Sequence, residues 1–131
     1  MNDQKKDAVL KMFGPYTLVR QIGDTYYISG QIGVNPDTGM ADSDLDTQVH
    51  QALKNLGRAL ASVELSYDSI VKTTMYLTDM STFSQVNEVY VGYFTEPRPA
   101  RTTVGVAALP NVAGGVALVF EIEAIAVRTR P

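Results

Sequence analysis

The stretch DLDTQVHQALKNLGRALASV, Asp44 to Val63, followed after six residues by IVKTTMYLT, Ile70 to Thr78, decides the fold because the hydrophobic period changes between the two. In the first, Leu45, Val49, Ala52, Leu53, Leu56, Leu60 and Val63 recur with a period near 3.6, with Gln48, Gln51, Lys54, Asn55 and Arg58 opposite. That predicts a helix of about five turns. The second alternates every other residue, as a strand does. Towards the N-terminus, Tyr16 to Arg20 and Thr25 to Ser29 read as a hairpin about Gly23-Asp24, and Asn35-Pro36-Asp37-Thr38-Gly39 as a further turn. Towards the C-terminus, Asp79 or Ser81 caps a second predicted helix. Its stripe includes Phe83, Val86, Val89, Tyr90, Tyr93 and Phe94, and Pro97 and Pro99 stop it. Strands over Arg101 to Leu109 and Gly115 to Arg128 complete the order strand-strand-helix-strand-helix-strand-strand. The expected class is α+β, a mixed sheet with two helices on one face.

Composition narrows what such a fold can do. The 131 residues suit a single domain spanning 1–131, with 45% apolar and 19% charged residues. A net charge of −3 gives no electrostatic reason to expect a nucleic acid or an anionic membrane as partner. The chain has no cysteine, which excludes disulfides, thiolate nucleophiles, iron–sulfur clusters and thiolate zinc sites. The one histidine, His50, excludes multi-histidine metal sites. It falls on the polar flank of the first predicted helix and reads as a surface residue. The start is polar, without a signal-peptide core, and no apolar run approaches the roughly 20 residues that span a bilayer. A soluble, cytoplasmic protein is expected.

The last two predicted strands carry apolar residues on both alternating faces, in Thr102 to Leu109 and again in Gly115 to Phe120. Such strands are normally covered on both sides. Two helices cover one face, so a second copy of the chain is the economical cover for the other; the alternative is that the early loops fold over it.

Several residues suggest chemistry. Arg98 and Arg101 stand in the proline-stiffened entry to a strand, where a guanidinium suits bidentate carboxylate recognition; solvated loop arginines are the plainer reading. Glu121 and Glu123 share a strand face with Ile125 and Val127. A carboxyl desolvated there gains proton affinity useful in acid–base work, whereas an interface ion pair or sheet-edge charge is the plainer alternative. Gly30, Gly33 and Gly39 match no phosphate-binding spacing and read as turns and close backbone approaches.

Taken together, Gly14-Pro15-Tyr16, Tyr27 to Pro36, Ile70 to Asp79, Phe83, Val86-Asn87, Tyr93-Phe94, Pro99 to Val104 and Glu121 to Val127 resemble, in order, the motifs of the reactive intermediate deaminase family (RidA, also called YjgF or the perchloric-acid-soluble protein family). The resemblance implies a chorismate-mutase-like mixed sheet with two helices on one face, and a homotrimer with clefts between subunits. It implies hydrolysis of 2-enamino or 2-imino acids of the 2-aminoacrylate type to 2-oxo acids and ammonia, with no metal or organic cofactor. Carried over by residue, Arg101 clamps the substrate carboxylate and Glu121 manages water and protons. Tyr16, Ser29, Gly30, Asn87 and Thr103 are further substrate contacts. Thr103 stands where the family often has cysteine, which is expected to alter pocket shape more than mechanism. The segment between Phe94 and Arg101 is shorter, and the loop over 110–115 longer, than in well-known members, as in a divergent branch. An alternative use of the same arginine is a non-catalytic trimeric sensor of small carboxylates, for which Glu121 is dispensable. A ribonuclease reading, attached to some relatives, is disfavoured by the acidic balance and single histidine.

Overall fold

A computed structural model of the chain describes residue 10 and residues 12–129. The chain forms strands β1 (Val19–Ile22) and β2 (Thr25–Ile32), helix α1 (Leu45–Ala61), β3 (Ile70–Leu77), α2 (Phe83–Tyr90), β4 (Ala100–Gly105) and β5 (Phe120–Val127). The five strands make one sheet in the order β1-β2-β5-β3-β4. Every pairing is antiparallel except that of β3 with β4, which α2 connects. The predicted element order and the mixed α+β class are therefore found.

Helix α1 forms where the period placed it. The Asp44 side chain accepts from the Thr47 amide at 3.0 Å and caps the first turn. Val49, Ala52, Leu53, Leu56, Ala59 and Leu60 are buried against one sheet face, formed by Tyr26 and Ile28 of β2, Met75 and Leu77 of β3, and Phe120, Ile122, Ala124 and Ala126 of β5. Two amides assigned to the polar side of α1 are in fact buried. Gln48 Nε2 donates to the Ala117 carbonyl at 2.9 Å while its Oε1 accepts from the Val119 amide at 3.0 Å. Asn55 Nδ2 donates to the carbonyls of Ile32 at 3.0 Å and Val34 at 2.9 Å. These amides serve irregular backbone beside the sheet, whose polar groups no strand ladder satisfies.

The structure corrects several predicted boundaries. The first strand begins at Val19 rather than Tyr16, and β2 runs on to Ile32. Helix α2 is a short helix between the 3-10 turns Met80–Thr82 and Val91–Tyr93. Strand β4 ends at Gly105, so Val106 to Leu109 are irregular, and β5 starts only at Phe120. Gly114 and Gly115 turn at φ of 64° and 92°, a region open to glycine, at the start of the predicted last strand, and residues 116–119 after them stay irregular. The apolar surplus of that segment has an intrachain destination: Ala113, Leu118, Ile32, Val34 and Ala41 form a second small core with Phe13, Leu109, Val112 and Val116 packed on it. The early and late loops thus cover part of the second sheet face. Tyr27 and Val104, on that same face, remain 49% and 38% exposed.

Candidate active site

Strand β2 does not pair with β5 in unbroken register. The ladder slips between Ile28 and Gln31, so Ser29 and Gly30 form a bulge. On β5 the residues Phe120, Ile122 and Ala124 point into the main core, which turns Glu121 to the opposite face, beside the bulge. A Cβ at Gly30 would meet the Glu121 carboxylate, so a larger residue there would push that side chain from its present place. A cavity of about 320 Å³ opens at this point. It is lined by Tyr16, Ser29, Gly30, Gln31, Asn55 and Glu121 and by an apolar wall including Met12, Phe13, Val34, Pro110 and Val112.

The polar side chains of the lining are engaged, with one exception. The Tyr16 hydroxyl accepts from the Phe13 amide at 3.1 Å, and Ser29 Oγ donates to the Thr17 carbonyl at 2.6 Å. Gln31 Nε2 donates to the Ser29 carbonyl at 3.0 Å, and Asn55 is held by its two carbonyls and by Gln51. Glu121 alone has no hydrogen-bond or ion-pair partner among the described residues. Burial, and secondarily the charge of Glu123 two residues on, raise its pKa above the ordinary carboxyl value. Glu123 is exposed and accepts from the Tyr76 hydroxyl at 3.0 Å.

Arg101 lies elsewhere. It pairs across β4 with Thr73 of β3, whose side chain is buried in the main core, so Arg101 faces the helix side of the sheet. Its guanidinium carbon sits 4.8 Å from the centre of the Tyr90 ring and 5.4 Å from that of Phe83. The Tyr90 hydroxyl meets the Thr73 hydroxyl at 2.8 Å, which fixes the ring. The guanidinium therefore rests on an aromatic platform, and no described residue supplies it with an ion pair or hydrogen bond. Phe83, Asn87 and Tyr90 are spaced four and three residues apart, on one side of α2. Asn87 Oδ1 is buried there with no hydrogen-bond partner among the described residues. Thr103 follows Arg101 by two residues and points to the same side.

The expected site residues thus fall into two groups. Tyr16, Ser29, Gly30 and Glu121 line one cavity; Arg101, Asn87 and Thr103 are absent from its lining, Arg101 and Thr103 standing on the edge strand β4 and Asn87 on α2. A single cleft holding both Arg101 and Glu121 does not exist within one chain. Arg98, the other arginine of that segment, is paired with Glu96 at the surface. His50 bonds through Nδ1 to the Tyr93 hydroxyl at 2.7 Å on the exposed side of α1. Among the described residues no three His, Cys, Asp or Glu side chains are grouped to hold a metal ion, and no helix is long and apolar enough to cross a membrane. The apolar cavity wall and the aromatic platform were not foreseen. Phe83 and Tyr90 carry the period of core residues, and nothing local marks them as a seat for an arginine.

Residues 6–128 match the family described as Endoribonuclease L-PSP. The chain belongs to this family, the YjgF/RidA family. A mouse relative named 2-iminobutanoate/2-iminopropanoate deaminase is 43% identical over 116 residues, covering 88% of this chain and 82% of its own. The crystal structure of RidA from the Antarctic bacterium Psychrobacter sp. PAMC 21119 superposes with a TM-score of 0.86 at 36% identity, over 93% of this chain and 95% of that one. A crystal structure of E. coli TdcF with bound serine superposes with a TM-score of 0.83 at 36% identity, over 93% of this chain and 94% of that one. The sheet with two helices is thus the fold of solved YjgF/RidA proteins.

Proposed function

We propose that the protein is a hydrolytic deaminase converting reactive 2-enamino and 2-imino acids to 2-oxo acids and ammonia, and that it acts as a homotrimer with its sites between subunits. The observation that carries this reading is Glu121, a half-buried carboxyl of raised proton affinity with no partner among the described residues, at a cavity in a chain 43% identical to a relative named as an imine deaminase. An imine carbon is already electrophilic, so the protein needs to place a water, move protons and hold the acid group. In the proposed reaction Glu121 takes a proton from water as the oxygen bonds to C2. The resulting carbinolamine receives that proton on nitrogen, the C–N bond breaks and ammonia leaves, and the C2 hydroxyl gives its proton back to Glu121 as the carbonyl forms. No covalent nucleophile or cofactor is needed.

The carboxylate clamp in this reading is Arg101 of an adjacent copy, with Asn87 and Thr103 beside it. Two features support a shared site. Arg101 and Glu121 point to opposite faces of one sheet, and the face that carries Glu121 leaves Tyr27 and Val104 uncovered by the chain itself. The Arg101 fork, without an acidic partner among the described residues, also suits a carboxylate sensor that does no chemistry.

The test is 2-oxo acid formation from enzymatically generated 2-aminoacrylate. Acceleration by the wild type, lost in Glu121→Gln with ligand affinity retained, supports deamination. Binding of a 2-oxo acid without turnover by either protein favours the sensor.

A further inference from the structure

The cavity beside Glu121 is lined by a few polar groups and by a larger set of apolar side chains, and the difference bears on which imino acids it takes. Ser29, Gly30, Gln31 and Glu121 gather at the bulge of β2, whereas Met12, Phe13, Val34, Pro36, Pro110 and Val112 form the rest of the wall. That wall is built rather than left over. Val34 is buried in the small second core, with Phe13 and Val112 packed on it. Asn55 occupies the carbonyls of Ile32 and Val34, so this backbone turns no unmet acceptor toward the cavity. Among the described residues, Glu121 is the polar side chain of the lining that makes no bond of its own, whereas Tyr16, Ser29 and Gln31 each already make one.

Volume points the same way. At about 30 Å³ per water, 320 Å³ corresponds to roughly ten waters. A three-carbon acid, with its carboxylate gripped from outside by a guanidinium that does not line the cavity, places C2 at Glu121 and leaves most of that space empty.

We infer that the deaminase prefers 2-imino acids with extended apolar side chains, branched aliphatic or thioether, over those bearing a methyl or methylene group. C3 and the atoms beyond it lie against Phe13, Val34, Pro110 and Val112. The inference rests on the deaminase reading for the position of C2, and each buried methylene is worth about fourfold in kcat/KM.

The experiment compares 2-imino acids generated in place from alanine, leucine and methionine by an amino-acid oxidase, with turnover read as loss of trapped imine. Calorimetric affinities for pyruvate and 4-methyl-2-oxopentanoate are measured in parallel. The expected result is a kcat/KM about tenfold or more higher for the leucine and methionine imines than for the alanine imine. The longer 2-oxo acid should bind tighter by a similar factor. Val112→Phe, which fills space along the apolar wall, should collapse the long-to-short ratio in both measurements; its melting temperature reports whether the fold is intact. Turnover of all imines with equal efficiency, or a preference for the short one, overturns the inference while leaving deamination standing. Tighter binding of the longer 2-oxo acid with no turnover of any imine sustains the cavity assignment and removes the deaminase reading.

Discussion

Glu121 on β5 and Arg101 on β4 are the two charged groups on which the proposed function depends, and the fold holds them by opposite means. Glu121 is set against a bulged backbone, partly withdrawn from water and without a partner among the described residues, so its proton affinity is raised mainly by desolvation. Arg101 is held by stacking on Tyr90 and Phe83, which fixes the plane of the fork while leaving its N–H edges open. The difference suits the two proposed tasks. A proton acceptor needs an adjusted affinity, whereas an anion clamp needs a fixed direction and loses less side-chain freedom on binding when stacked.

The largest effects test whether the two groups belong to one composite site. Arg101→Ala and Glu121→Gln should each lower kcat/KM by about a hundredfold or more, from a lost charge-assisted fork or a lost general base. Mixing the two inactive variants under subunit exchange should then restore activity at roughly a quarter of the sites, because each supplies the half that the other lacks. Complementation that never appears in exchanged oligomers would separate the two groups for good.

The platform gives the next effect. Replacing the ring, in Tyr90→Leu, should raise KM about tenfold with a smaller change in kcat, since the ring orients the clamp and touches no reacting atom. Tyr90→Phe keeps the ring, loses only its bond to Thr73, and should recover most of the affinity. Equal KM values in the two variants would mean that stacking does not position Arg101.

Smaller effects probe how Glu121 is tuned. Because its pKa is raised, the acid limb of kcat/KM should lie above the ordinary carboxyl value of 4.5, and Glu123→Gln should move that limb down by removing the like charge. The limb should keep its place if burial alone were responsible. The same shift has a sign in stability. A folded-state pKa above the unfolded one means that the folded chain favours the protonated form, and this contribution is lost as pH rises through the folded value. Thermal melts of Glu121→Gln should therefore match or slightly exceed the wild type at pH 7, with that advantage fading below pH 4.5; a wild type more stable at pH 7 would contradict the assigned cause.

Much of the architecture was legible locally. The stripe from Val49 to Leu60 and the alternation from Ile70 to Leu77 reflect periods set by neighbouring residues, and both elements stand where the sequence put them. Gln48 and Asn55 were misassigned because an amide scores as polar wherever its partner lies, and their partners are distant backbone atoms in 117–119 and 32–34. The ends of β4 and β5 were misread for a related reason: an apolar run looks the same whether it continues a strand or folds into a small second core.

The amino-acid sequence by itself determined the order of elements, the family motifs and the identity of the groups able to do chemistry, since these follow from local periodicity and side-chain type. Only the tertiary structure decided that Arg101 and Glu121 face opposite sides of the sheet. That outcome depends on the register of β4 and β5 against β3, with Arg101 opposite Thr73 and Glu121 opposite Tyr76. A shift of one residue along either ladder would turn that strand's side chains to the other face, and register is fixed by long-range packing that no window of neighbouring residues contains.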